Sequence, residues 1–217
     1  MSEETILTKI GIILERIGTL RILTVFATLV LGIGGFIAQD FWTLTSPPNE
    51  VTSELFYLPQ IVSVYLLAII GTTVFTIIGY IGKIIAKGDL MTIIFMVLFF
   101  LPAFYATQSL GILFSPEAMS LEIDFELFET ITSSVYSATG TLYLAFTILG
   151  LGRASNKKTR VPGLLTTIFS FIAMIQMGYT FMHNPNAAFV HISLLTAVPA
   201  FIGLFLIEKR FLFEEQD

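Results

Sequence analysis

The sequence contains no cysteine and little charge. Without cysteine, the chain can form no disulfide, no thiolate metal site and no thiol-based catalytic centre. Charged residues make up 12% of the 217 residues, whereas a soluble domain contains about 25%. Hydrophobic residues make up 55%, and the mean hydropathy is +0.86. A soluble domain cannot bury this much apolar surface, so the composition indicates an integral membrane protein.

The sequence also lacks the motifs that mark common catalytic and cofactor sites. It has no GxSxG, P-loop or HExxH motif. Its two histidines, His183 and His191, flank a turn with a spacing that is not a recognised zinc-ligand spacing. We therefore predict no enzyme activity, no cofactor, no metal site and no nucleic-acid partner.

Six apolar segments organise the chain, and the clearest is residues 91–114. That segment has 24 residues without charge, and as a helix it would measure roughly 36 Å, enough to cross a hydrocarbon core of about 30 Å. The predicted spans lie near residues 20–39, 58–82, 91–114, 130–151, 163–182 and 187–207. We therefore predict an all-α polytopic membrane protein in which residues 1–217 form a single membrane domain.

Residues 5–18 predict an amphipathic helix ahead of the first span. Its apolar residues recur at helical spacing, and they are Ile6, Leu7, Ile10, Ile13, Leu14 and Ile17. Such a helix either lies on the membrane surface or simply leads into the first span, and the sequence leaves both interpretations open. The acidic N-terminus lacks a basic region and a cleavage site, so we predict no removable signal peptide.

The distribution of charge predicts the orientation in the membrane. All 11 Lys and Arg residues lie before or at the start of span 1, after span 6, or between spans 2 and 3 or spans 4 and 5. By the positive-inside rule, this predicts six spans with both termini in the cytoplasm, in the plasma membrane.

The outer loops are acidic, above all residues 115–129, where Leu121–Leu127 alternates apolar and acidic residues. This loop is interpreted as an extended strip or a short helix, and as a cation-attracting mouth, a docking strip or an ordinary solvated face.

Short sequence echoes suggest an internal repeat. Ser63-Val64-Tyr65 recurs as Ser134-Val135-Tyr136, and Phe75-Thr76-Ile77-Ile78-Gly79 recurs as Phe146-Thr147-Ile148-Leu149-Gly150, each 71 residues later. These echoes favour three parallel helix-hairpin repeats, made of spans 1–2, 3–4 and 5–6. A rival inverted repeat depends only on Pro102-Ala103-Phe104 and Pro199-Ala200-Phe201.

The predicted span interiors contain no acidic or basic residue, which disfavours ion-coupled transport through buried carboxylates. Neutral polar residues instead gather in the outer halves of the spans. Because an amide that faces lipid leaves its donors and acceptors unpaired, the glutamines should point inward and line an outward-facing pocket. The predicted ligand-binding residues are Gln39, Gln60, Tyr65, Tyr105, Gln108, Tyr136, Gln176 and Tyr179. Alternatively, these residues form hydrogen bonds between helices or an interfacial aromatic belt.

Two prolines, Pro102 and Pro199, lie in mid-span and predict helix kinks. Together with the polar residues they favour a small-solute transporter or channel component. In size, span number and topology alone, the chain is similar to the substrate-binding subunits of modular vitamin importers. The alternative is a non-catalytic scaffold or assembly subunit that binds a protein partner, or a second copy, through small-residue faces. These faces are Gly32, Gly34, Gly35 and Ala38, and the pair Gly79 and Gly82.

Overall fold

The computed structural model of the chain describes residues 3–45, 51–88, 92–116, 125–183 and 188–213. Within these ranges, side chains are described for residues 6–33, 62–88, 92–116, 130, 133–179, 182 and 193–207. The helices are α1 (Glu3–Gly18), α2 (Arg21–Thr45), α3 (Val51–Lys87), α4 (Thr92–Leu113), α5 (Phe125–Ala154), α6 (Arg160–His183) and α7 (Ala188–Phe213), with a 3-10 turn at Lys157–Thr159. The described ranges contain no strand, which confirms the all-α prediction.

Apolar helices long enough to cross a bilayer dominate the structure. Five segments qualify by length and composition, and they are Ile6–Ile33, Val62–Lys87, Thr92–Leu113, Ser133–Ala154 and Lys157–Tyr179. The described side chains of α7 add a shorter apolar segment, Ser193–Ile207. The chain is therefore a helical protein suited to a membrane, whereas the six-span count and the cytoplasmic termini stay predictions.

The first apolar segment begins before the predicted span, because α1 and α2 are nearly continuous. Backbone bonds of 3-10 type, such as Ile22 N–H to Thr19 C=O at 3.1 Å, join the two helices. α1 packs along the C-terminal half of α3, where Gly18 lies directly against Gly79. Residues 5–18 therefore belong to a helix that lies against another helix of the chain.

A glycine contact and an ion pair hold α1 on α3. A Cβ added at Gly82 would lie 2.6 Å from the carbonyl oxygen of Gly11, so the two backbones are in close contact. The Lys87 ammonium donates to Glu15 at 3.1 Å on the surface. Gly79 and Gly82, which the sequence suggested as a face for a partner, are occupied by α1 within the chain.

Helices α2 to α7 form a closed ring in which sequence neighbours pack side by side, and α7 packs back on α2. Neighbours are antiparallel: Gly150 of α5 meets Thr167 of α6, and Thr166 of α6 donates to the Ala200 carbonyl of α7 at 3.3 Å. Among the described residues, the α2–α7 contact is the least extensive in the ring. The ring therefore has one weakly closed seam.

Inside these apolar helices, hydroxyl side chains donate hydrogen bonds to backbone carbonyls of the same helix. Thr28 donates to the Thr24 carbonyl at 2.8 Å, and Thr72 donates to the Ala68 carbonyl at 2.9 Å. Such bonds let threonine and serine lie in a bilayer without unpaired groups.

The acidic sequence Leu121–Leu127 falls largely outside the described residues, although α5 begins at Phe125. The hairpin repeat stays a prediction.

Candidate functional site

An apolar crevice of about 420 Å³ opens along the seam between α2 and α7. This volume lies within the range of about 300–1,000 Å³ that is typical of ligand pockets. Its lining residues are Arg21, Ile22, Leu23, Val25, Phe26, Leu29, Thr76, Phe99, Phe146, Leu149, Phe201, Ile202, Leu204 and Phe205. All but two of these side chains are apolar, so the crevice suits a hydrocarbon or aromatic group.

The inner wall of the crevice is a series of aromatic rings from different helices. Phe99 of α4 lies 6.1 Å from Phe146 of α5, and Phe146 lies 5.7 Å from Phe201 of α7, measured between ring centroids. Tyr80 of α3 extends the series through an edge contact of 6.2 Å with Phe99. These tilted and edge-on pairs are the favourable geometries for aromatic contacts, so the wall is preformed.

The mouth of the crevice is formed by exposed side chains on the outside of the ring. Leu23 and Phe26 of α2 are 66% and 65% exposed, and Ile202 and Phe205 of α7 are each 51% exposed. Because these residues belong both to the crevice and to the outer surface of the helix bundle, the crevice opens sideways, not towards the ends of the helices. In a membrane, this opening faces the lipid.

Among the described side chains, Arg21 is the one charged group that lines the crevice. Its guanidinium carbon lies 5.8 Å from the centroid of the Tyr80 ring, within cation–π range. On α2 the lining extends from Arg21 to Leu29, about 12 Å of helix, with Arg21 at one end. The crevice therefore has a cationic end and a long apolar remainder.

A buried polar contact joins α3 and α5. The hydroxyls of Tyr65 and Thr139 share a hydrogen bond of 2.8 Å. Tyr65 also packs against Gly32 of α2. Tyr65, one of the predicted ligand-binding residues, thus contacts both α5 and α2.

The other predicted ligand-binding residues lie in varied environments. Tyr136 is buried, Tyr105 and Gln176 are half-buried, and Gln108 and Tyr179 are exposed. The side chains of Gln39 and Gln60 lie outside the described residues. None of the six predicted residues with described side chains lines the crevice. The orientation of Gln108 differs from the inward orientation expected for an amide in a membrane.

Both mid-span prolines lie inside helices. Pro102 is buried within α4, and Pro199 is half-buried within α7, two residues before the crevice residue Phe201. Each ring removes one helical hydrogen bond and frees the carbonyl four residues earlier. Pro199 thus weakens α7 next to the seam.

The sequence prediction did not include Arg21, Phe26 or Phe201. A signal for Arg21 was present, because apolar residues continue on both sides of it, from Ile17 and Leu20 to Ile22 and Leu23. No local signal marks the phenylalanines, since the chain has 21 of them.

Comparisons with protein-family models, curated proteins and solved structures give no match for this chain. Among the described residues, no group of three or more His, Asp and Glu side chains is placed to hold a metal ion. Interpretation of the site therefore depends on its own geometry.

Proposed function

We propose that this chain is a transport protein, or the membrane component of one, for a largely apolar small molecule that enters sideways from the bilayer. The observation that supports this function is the crevice between α2 and α7, with its mouth among exposed apolar side chains on the outside of the helix bundle. Its apolar lining gives such a molecule an environment that resembles lipid. The aromatic wall favours molecules whose shape fits against its rings.

Loading and release require the seam to widen. The α2–α7 contact is the least extensive in the ring among the described residues, so separating these helices costs the fewest contacts. Pro199 supplies a weak point in α7 at the edge of the crevice. The segment of α7 after Pro199 bends away from α2 when the ligand enters. We retain six spans with both termini in the cytoplasm as part of this proposal.

A matched pair of tryptophan substitutions tests the crevice. Ile202→Trp places an indole at the mouth, whereas Leu195→Trp changes an equally exposed residue two turns away on the same face of α7. Each protein is purified from native membranes in a gentle detergent, and retained molecules are identified by mass spectrometry. We expect wild type and Leu195→Trp to retain the same apolar molecule, and Ile202→Trp to lose most of it. Equal retention by both variants would count against the crevice as the site.

A second candidate, an assembly subunit, is favoured by Gln108. This amide is exposed on α4 within an apolar span, and a Cβ added at Gly111, one turn later on the same face, would meet nothing within 4 Å. An amide exposed to hydrocarbon is costly unless another helix covers it.

Gln108→Leu should therefore reduce association of the purified protein with itself or with a partner, whereas Val97→Leu on the same helix should not. Size-exclusion chromatography with light scattering measures this association. A stoichiometric partner in the native preparation, with no small molecule retained, would favour the second candidate over transport.

A further inference from the structure

Arg21 lies deeper in the bundle than its neighbouring basic residues. Arg16 precedes it by five residues, roughly 8 Å along the helix, and lies on the exposed surface of α1. The other cations with described side chains lie at or beside helix ends at the same end of the bundle, and they are Lys9, Lys83, Lys87, Arg153, Lys157, Lys158 and Arg160. Among these described cations, Arg21 therefore reaches furthest into the apolar part of the chain.

The positive charge of a guanidinium at the end of an apolar crevice attracts anionic groups. The Tyr80 ring attracts it through the ring face at 5.8 Å. Hydrogen bonds to a phosphate use different atoms, the planar N–H groups, which match phosphate oxygens in a two-bond fork. The Tyr80 contact is thus compatible with an anion at Arg21 and positions the guanidinium beside the crevice.

The rest of the crevice continues away from Arg21 without charge. Phe26 and Leu29 follow on α2, and Phe201 faces them from α7. This order, one cation followed by about 12 Å of apolar wall, is complementary to an amphiphile with an anionic head and a hydrocarbon chain. Arg21 is at the end of the bundle that carries the described basic residues, so the anionic head lies towards this end and the hydrocarbon chain extends into the bundle.

We propose that the crevice binds an anionic phospholipid, with its phosphate at Arg21 and one acyl chain between α2 and α7. This inference rests on the proposed function and identifies the substrate class of the same site. The lipid enters through the mouth formed by Phe26 and Ile202 without leaving the membrane.

Native mass spectrometry of the purified chain tests the assignment. The protein, in a neutral detergent, is mixed with equimolar phosphatidylglycerol and phosphatidylcholine of identical acyl chains. We expect wild type to bind phosphatidylglycerol in about fivefold excess, which corresponds to about 1 kcal/mol for one basic residue at an anionic membrane surface. Arg21→Gln should reduce this ratio to near one, and Arg21→Lys should keep part of it.

Two controls test whether the lipid preference comes from a phosphate site at Arg21 and not from a general charge effect or from binding of free phosphate. Arg16→Gln removes a neighbouring exposed cation and should leave the lipid ratio unchanged. If it lowers the ratio as much as Arg21→Gln, or if Arg21→Gln keeps the wild-type ratio, the headgroup site is wrong. Displacement of the lipid by excess inorganic phosphate would also overturn it, since the ligand would then be the free anion.

Ile202→Trp distinguishes failure of the headgroup assignment at Arg21 from failure of the crevice as the binding site. If it abolishes binding of both lipids while Arg21→Gln changes nothing, the crevice and the proposed function stand, and only the headgroup assignment fails. If Ile202→Trp binds both lipids like wild type, the crevice is not the binding site and both proposals fail.

Discussion

The guanidinium of Arg21 lies over the ring of Tyr80, 5.8 Å from its centroid. This contact joins α2 to α3 at the cationic end of the crevice, and Tyr80 in turn contacts Phe99 of the aromatic wall at 6.2 Å. The cation and the apolar wall are therefore parts of one packed unit. A substitution that removes the Tyr80 ring should therefore change the position of the Arg21 guanidinium.

The Tyr80 ring should set the headgroup preference through its face. Tyr80→Phe keeps the aromatic face and should keep the phosphatidylglycerol excess. Tyr80→Leu removes an attraction of about 0.5–2 kcal/mol and should lower the excess towards the value of Arg21→Gln. The lipid ratio from native mass spectrometry measures both effects, and thermal unfolding checks that each variant is folded. A loss of preference in Tyr80→Phe equal to that in Tyr80→Leu would contradict a role for the ring face.

The close approach of α1 and α3 should make Gly82 intolerant of a side chain. A Cβ at Gly82 would collide with backbone atoms of α1, including the Gly11 carbonyl oxygen at 2.6 Å, so the helices must separate. We expect Gly82→Ala to lower the free energy of unfolding by about 1–3 kcal/mol, measured by denaturing-detergent titration in micelles.

Gly178 provides the control for this prediction. A Cβ at Gly178 of α6 would meet nothing within 4 Å. Gly178→Ala should therefore leave the free energy of unfolding unchanged or raise it by up to about 1 kcal/mol, because alanine favours the helix. Equal effects of the two substitutions would show that α1 is not packed on α3 in the membrane protein.

The hydrogen bond between Tyr65 and Thr139 should be structural. Both hydroxyls are buried and 2.8 Å apart, between α3 and α5. A double-mutant cycle with Tyr65→Phe and Thr139→Val should give a coupling energy of about 0.6 kcal/mol, and at most about 1.7 kcal/mol, as for other hydrogen bonds within membranes. Lipid retention in Tyr65→Phe should match that of wild type. Selective loss of the retained molecule in this folded variant would restore Tyr65 as a ligand-binding residue.

The orientation can be tested directly because the chain has no cysteine. Glu122→Cys should react with an impermeant maleimide added outside intact cells, whereas Lys157→Cys should react only after the cells are permeabilised. The physical reason is the positive-inside rule, since Lys157 lies in a basic connection and Glu122 in an acidic one. The opposite labelling pattern would reverse the proposed topology.

The sequence was sufficient to predict the helices, because runs such as residues 91–114 leave no other structure for an uncharged apolar segment. α4, Thr92–Leu113, lies within that predicted span. It was harder to predict which face of each helix is buried in the bundle. α4 is apolar on every side, so no stripe indicates which face is buried, and the expected inward orientation of Gln108 depended only on the cost of an exposed amide.

The crevice is a tertiary feature, and for that reason no local pattern predicted it. Its lining comes from α2, α3, α4, α5 and α7, which meet only after the ring closes. The positive-inside rule counts Arg21 with the cations before the first span, whereas helix packing extends on the N-terminal side of Arg21, as the contact of Gly18 with Gly79 shows. The predicted outer pocket depends on polar side chains of several helices that converge, and no local pattern indicates the partner of each one, such as Thr139 for Tyr65.

Quenching of a single tryptophan by brominated acyl chains would report whether lipid enters the crevice. The chain has one native tryptophan, Trp42, which Trp42→Phe removes. In that background, Phe146→Trp places an indole on the crevice wall, and Tyr143→Trp places one at an equally buried position one turn earlier on α5, away from the crevice. We predict strong quenching at residue 146 and weak quenching at residue 143 in brominated vesicles. Equally weak quenching at both positions would contradict a lipid-accessible crevice between α2 and α7.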